Sequence, residues 1–396
     1  MGARARLLWD AGGLWSVMTW QVCRELGLRL GPVSAAELAG GALSGVRLLV
    51  VPGGWPSRKY RALGRDGRRA IRQFVRGGGR YLGLCGGAGL ALSVRHGLGL
   101  VPLKRLARGQ RLPMANGPVR VTAPEAARSH PMWQGLSWPQ TFYVWWPGQF
   151  ADPRPAGLEV LAAYQGPAPG MHSADLAAHR PPPEGWAALE ESYGIHLDPA
   201  RLAGEPAVVR GRAGEGEVVL SYLHFDTPGD PAGARVLRNL WRHWLGAESL
   251  RPPPEPPPTG GPAAHLARAA EELWEQGREL GLWRPRHPAM PLWRRGARGL
   301  EFWSLVCLCR ALVQAGAGPE LVQRLEPMMT PLWRRGPEVL AAQAAKLRGG
   351  RAQPRAADLQ ARWFPAPRAV GGEMAAALAA LEDTVRLAVA ESEGHE

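Results

Sequence analysis

Over the first 250 positions, short apolar runs alternate with stretches in which apolar residues recur at helical spacing. The runs at 5–9, 46–51 and 80–84 are bounded by glycine, proline or charge and read as buried strands, with a short strand at 28–33. Helices are predicted over 15–26, 66–77 and 86–94. Further strands are predicted near 118–122, 142–146, 158–164, 206–212 and 217–223, the last two flanking a glycine-rich turn as a hairpin. Ala234 to Leu245 carries Leu237, Leu240, Trp241 and Trp244 on one face and reads as the helix that ends the domain. Strands alternating with helices predict an α/β fold with a doubly wound, mostly parallel sheet, and the later strands form an antiparallel extension. Ligands of such a sheet bind beyond the strand carboxyl ends, where Gly53, Cys85 and His224 all fall.

The pattern breaks at 251–262, Arg-Pro-Pro-Pro-Glu-Pro-Pro-Pro-Thr-Gly-Gly-Pro, which favours extended polyproline II and cannot build a core. The expected organisation is a domain at 1–250, a linker at 251–262 and a small all-α region at 263–396. Within that region Ala264–Leu280, Leu300–Ala315 and Met374–Val389 have helical periodicity. Met290-Pro-Leu-Trp-Arg-Arg-Gly296 and Thr330-Pro-Leu-Trp-Arg-Arg-Gly336 repeat, and the repeat reads as a duplicated helix–turn element. The region carries no catalytic constellation, so its expected job is docking a protein partner or covering the first domain.

Composition narrows the function classes. The chain has 396 residues, enough for two domains, and no apolar run of transmembrane length. The basic start at Met1–Arg6 leads through Leu7-Leu8-Trp9 straight to Asp10, so no secretory leader is expected. The cysteines Cys23, Cys85, Cys307 and Cys309 show neither disulfide-framework nor zinc spacing, which fits a reducing cytoplasm with no metal and no cofactor. Net charge is +14, which invites a nucleic-acid reading. The only lysines are Lys59, Lys104 and Lys346, and the heavy use of Arg, Ala, Gly and Pro looks like the codon bias of a GC-rich genome. With no nucleic-acid motif beside the charge, neither nucleic acid nor membrane is an expected partner.

The candidate chemistry is concentrated at Gly83-Leu-Cys-Gly-Gly87, between an apolar strand and an apolar helix. This is the Gly-x-nucleophile-x-Gly elbow with cysteine in place of serine. Glycines let strand and helix pass closely, and a thiol at a helix N-terminus is favoured as thiolate. A glycine-rich turn holding a buried structural cysteine would show the same letters. Two other segments weigh against that. The strand at 46–51 ends in Gly53-Gly54, which can turn backbone N–H groups into a cleft, and the strand at 217–223 runs into His224-Phe-Asp226, a base with a carboxylate two residues on. Phe142-Tyr-Val-Trp-Trp146 is unusually aromatic, so Trp145 and Trp146 are candidate walls of a ligand pocket as well as sheet-packing residues.

These pieces, together with Leu7–Asp10, Val50–Gly54, Ile71–Ala88 and Gly216–Ser221, resemble the class I glutamine amidotransferase-like superfamily, and within it the biotin-protein-ligase N-terminal-domain family. The resemblance covers about residues 4–247. It implies a flavodoxin-like sheet, Cys85 as nucleophile, His224 as base, Asp226 as third member, and the N–H groups of Gly54 and Gly86 as oxyanion donors. Gly53 joins the implied substrate-binding surface. The chain departs from the glutamine-hydrolysing pattern at Phe225-Asp226, where that pattern has Pro-Glu, and at Gly89, where it has glutamine four residues after the nucleophile. It also lacks the Gly-Arg-Gly-rich biotinyl-adenylate loop of a biotin ligase, so it is not itself expected to be one. Two function classes stand open: a cysteine-dependent hydrolase or amidotransferase-like enzyme acting on a small amide or carbonyl, and a non-catalytic binding or regulatory module that keeps the fold.

Overall fold

In the computed structural model, which describes residues 4–151, 157–252, 260–350, 353–365 and 371–394, the chain divides into two units at Pro254. The first unit starts with β1 (Ala5–Leu8), α1 (Leu14–Glu25), β2 (Gly31–Val33), α2 (Ala35–Ala39), β3 (Leu48–Val51), α3 (Pro56–Ala62), α4 (Gly64–Arg76), β4 (Arg80–Leu84) and α5 (Gly86–Ala91). There follow β5 (Ala115–Thr122), β6 (Gln140–Trp145), β7 (Glu159–Pro167), β8 (His172–Ser173), β9 (Leu176–Ala177), α6 (Gly185–Tyr193), β10 (Pro206–Ala213), β11 (Gly216–Ser221) and α7 (Pro231–Leu245).

One mixed sheet runs in the order β2-β1-β3-β4-β11-β10-β7-β5-β8-β9, with β6 paired on β5. The strands from β2 to β11 pair in parallel, and every later pair is antiparallel. Parallel strands buried on both faces need continuous apolar sequence, and all four residues of Leu48–Val51 are buried. Helices complete the layers: α4 turns Ile71 and Val75 inward while its arginines face out, and α7 buries Leu237, Leu240, Trp241 and Trp244 as its spacing predicts. Asp230 caps α7 by accepting the Ala232 N–H at 3.0 Å, with Pro231 in the first turn.

Several bounds move. The helix expected over 86–94 stops at Ala91, because Leu92 is extended and bridges to Val101. The strand expected from 118 starts at Ala115, and the one expected over 28–33 is confined to Gly31–Val33. Helices α2, α3 and α6 were not expected. The first of them has a reciprocal cap that was legible: Ser34 Oγ accepts the Glu37 N–H, and Glu37 Oε2 accepts the Ser34 N–H at 2.6 Å.

The second unit contains α8 (Ala264–Glu279), β12 (Trp283–His287), β13 (Met290–Trp293), α9 (Gly299–Gln314), α10 (Pro319–Leu347), α11 (Pro354–Trp363) and α12 (Glu373–Gly394). The all-α expectation is therefore corrected: β12 and β13 form an antiparallel hairpin. Indole packing draws the chain into it, since Trp283 stacks on Trp274 at 4.5 Å and donates Nε1–H to the Trp274 carbonyl at 2.8 Å. The duplicated helix–turn reading is also corrected. The first Pro-Leu-Trp-Arg-Arg-Gly lies in and after β13, while the second lies inside α10, a 29-residue helix that runs through Pro327, Pro331 and Pro337. No described helix is long and apolar enough to cross a membrane.

Of the proline-rich stretch at 251–262, positions 253–259 lie outside the described residues. Brief proteolysis of the full chain is expected to cut within 251–262 and leave a folded N-terminal fragment, because a proline-rich segment forms no core of its own. Even degradation along the chain, or cooperative unfolding of both units together, would contradict a two-domain organisation.

Candidate active site

The sheet brings three loops together at the carboxyl ends of β3, β4 and β11. Adjacent parallel strands β4 and β11 place Leu84 opposite Ser221, and the next residue, Cys85, donates its N–H to the Ser221 carbonyl at 2.7 Å. Cys85 then turns at φ +46°, ψ −99°, a conformation that costs a non-glycine residue about 1–3 kcal/mol and is held by the packing on either side. That turn lifts the side chain out of the strand at the start of α5. The neighbouring backbones are in close contact: a Cβ on Gly86 would strike the Gly54 carbonyl oxygen, and Gly54 itself needs a positive φ of 98°. Gly54 and Gly86, assigned by resemblance to the same role, are thus packed against each other.

His224 follows β11 after a turn fixed by Ser221, whose Oγ donates to the Leu223 carbonyl and accepts the Leu223 N–H. The His224 N–H is anchored on the Tyr143 carbonyl at 2.8 Å, and its own carbonyl accepts from Thr227 Oγ1 at 2.9 Å. The ring is fully buried. Nδ1 donates to Asp226 Oδ1 at 2.9 Å, so the carboxylate two residues on does turn back to the imidazole. Nε2 has no hydrogen-bond partner among the described residues. Burial opposes a charge on the ring. The Asp226 carboxylate and the Cys85 sulfur beside it outweigh burial, and the His224 pKa is raised. The Cys85 thiol is not aimed at Nε2: Sγ points to the Trp145 carbonyl at 3.7 Å.

Two residues without any sequence signal complete the arrangement. Thr19 Oγ1 lies 2.5 Å from Asp226 Oδ2 and 2.9 Å from the Trp15 carbonyl, so its one proton is shared between two acceptors and ties α1 to the carboxylate. Trp15 lies along the His224 ring at 5.0 Å and meets Trp146 edge-on at 6.2 Å. Gly53 makes room for both: a Cβ there would sit 3.0 Å from His224 Cε1 and 3.1 Å from the Trp15 ring.

The aromatic pair splits. The Trp145 ring is buried, stacks on Tyr143 at 5.7 Å and donates Nε1–H to Thr227 at 3.1 Å, so only its carbonyl faces the thiol. Trp146, held at φ +53°, is the member that reaches Trp15. Trp55, directly after Gly54, is 60% exposed, a rare position for an indole. A shallow groove of about 450 Å³ lies near Arg47, Phe74 and Arg80. It is at the amino ends of β3 and β4, the opposite end of the strands from Cys85. No group of three His, Cys, Asp or Glu among the described residues could hold a metal ion.

No curated protein matches the chain. Among solved structures it is similar to a GMP synthase component from Thermoplasma acidophilum, with 16% identity, TM-score 0.39, and 60% of this chain and 92% of that one covered. It is similar also to a ThuA-like protein from Bacteroides uniformis, at 14% identity and TM-score 0.40, covering 63% of this chain and 96% of that one. A third similarity is to a β-galactosidase from Bacillus circulans, at 12% identity and TM-score 0.37, covering 64% of this chain and 32% of that one. Residues 35–94, the segment that carries Gly53, Gly54, Cys85 and Gly86, match the family described as biotin-protein ligase, N terminal.

Proposed function

We propose that the first unit is a glutamine amidotransferase-like, flavodoxin-like domain with a cysteine-dependent acyl-transfer site, acting on a small amide or carbonyl compound. The observation that carries the reading is the His224–Asp226 pair, with Nδ1 occupied by the carboxylate and Nε2 left without a partner beside Cys85. In this reading Cys85 Sγ attacks the carbonyl carbon and its proton resides on His224 Nε2. The oxyanion is held by the N–H groups of Gly54 and Gly86. His224 then gives the proton to the leaving amine, and water, deprotonated by His224, releases the acid from the thioester. Asp226 keeps the imidazole in the tautomer this requires, and Thr19 holds Asp226. Trp15 and Trp146 line the substrate side, with Gly53 below them.

The second unit, in this reading, docks a protein partner. A biotin-ligase activity is not part of the proposal. The second reading, a binding or regulatory module, is favoured by one observation: the thiol is 8% exposed and turned to the Trp145 carbonyl. An activated ester separates the two. With p-nitrophenyl acetate, an acetyl group is expected on Cys85 in the intact chain and none in Cys85→Ala. Little ammonia is expected from glutamine, since Gly89 replaces the usual glutamine side chain. Absence of acylation would favour the binding module, and robust Cys85-dependent glutaminase turnover would overturn the substrate reading.

A further inference from the structure

One helical turn beyond Cys85, Gly89 leaves the backbone bare. A Cβ there would lie 2.7 Å from Pro56 Cγ and 3.7 Å from Arg105 Nη1, so a guanidinium occupies the flank of α5 next to the thiol. Arg105 is exposed and its side chain has no hydrogen bond or ion pair among the described residues. Its backbone bridges to Phe150, and the Phe150 ring packs on Tyr222 at 4.4 Å. Tyr222 is buried, and its hydroxyl lacks a partner among the described residues. A side chain at Gly148 would strike that hydroxyl. Burial raises the Tyr222 pKa and keeps the hydroxyl a neutral donor. The charges of Arg105, Cys85 and Arg111 all reach it. Arg111 is itself tied to the Pro147 carbonyl at 3.1 Å.

We propose that Arg105 and the Tyr222 hydroxyl form an anion subsite beside Cys85, and that the substrate of the site is a carboxylate-bearing amide or carbonyl compound. This rests on Cys85 being the nucleophile. A buried hydroxyl without an acceptor is a standing penalty, and an unpaired guanidinium is a donor fork without its complement. A carboxylate is an acceptor only, and it satisfies both. A neutral substrate would leave the fork without a counter-charge.

Two alkylating reagents with the same leaving group and different charge test this. The rates of Cys85 modification by iodoacetate and by iodoacetamide are measured on the full chain by peptide mapping, at 0.15 M salt, where charge is felt over only about 8 Å. The iodoacetate-to-iodoacetamide ratio is expected to fall about tenfold in Arg105→Gln, the size of one charge-assisted hydrogen bond, and by less in Tyr222→Phe. The His224 imidazolium attracts iodoacetate in all three proteins and cancels in the comparison. An unchanged ratio in Arg105→Gln, with iodoacetamide still modifying Cys85, overturns the subsite alone. Failure of iodoacetamide to modify Cys85 in the parent chain overturns the nucleophile reading and the subsite with it.

Discussion

Alanine at Gly87 is expected to destabilise the first unit by about 3 kcal/mol, the upper range for forcing atoms into a packed interior. The added Cβ would strike the Val51 carbonyl oxygen and approach the Val51 carbonyl carbon to 2.7 Å. Both are backbone atoms of β3, so no side chain can swing aside. Gly83 faces the same constraint from the strand side, 2.7 Å from the Gly87 carbonyl carbon. Strand and helix at the elbow are therefore in backbone contact, and that contact holds Cys85 in its unfavourable turn. Gly109→Ala is the control, because a Cβ there meets nothing within 4 Å; its effect is expected to stay within about 0.5 kcal/mol. Urea unfolding of the full chain checks both. A Gly87→Ala chain that unfolds at the parent's urea concentration would contradict the elbow packing.

The second large effect is at His224. Replacing it with asparagine is expected to slow Cys85 acylation by about 10²–10⁴-fold, the usual contribution of a positioned general base. The pH dependence should change as well. Burial opposes the charged ring, but Asp226 and Cys85 raise the His224 pKa above its ordinary value of about 6.5. The resulting stabilisation is fully present below about pH 6.5 and is lost as pH rises through the raised folded-state value. Parent stability is expected to decline on the alkaline side, and His224→Asn to lack that decline. Cys85 in the variant should gain reactivity with rising pH along the curve of a free thiol, near 8.5. Equal acylation rates and equal pH profiles in the two proteins would remove His224 from the chemistry.

The parts of the site that could be read from the sequence are those whose signal is local. The β4–Cys85–α5 elbow has an apolar run, flanking glycines and a second apolar run, and the structure shows strand, turn and helix there. The β10–β11 hairpin is announced by its glycine-rich turn, and β11 delivers His224 to the same strand edge as Cys85. Trp15 and Thr19 could not be read this way. Thr19 stands 207 residues from Asp226 in the chain, and its environment in α1 is that of an ordinary amphipathic helix. Only the parallel sheet brings β1 and its following helix next to the loop after β11. The second unit shows the converse error. Identical Pro-Leu-Trp-Arg-Arg-Gly letters form a strand at β13 and helix within α10, so tertiary packing of the tryptophans overrides the local pattern. The cluster of Arg105, Gly89 and Tyr222 likewise joins residues far apart in sequence, and the lone glycine gives no hint of the guanidinium beside it.

The most direct test of the central claim is competitive alkylation of the four cysteines at neutral pH with a limiting amount of iodoacetamide, followed by peptide mapping. Burial pushes Cys307 up to about 12 and pushes Cys309 up further, so neither supplies thiolate at that pH. Cys23 is 1% exposed within α1. Cys85 alone has a raised-pKa imidazole beside it at a strand end. Cys85 is expected to be modified first, and protected by a small carboxylate-bearing amide. First modification at Cys23 or Cys307, with Cys85 intact, would contradict the account.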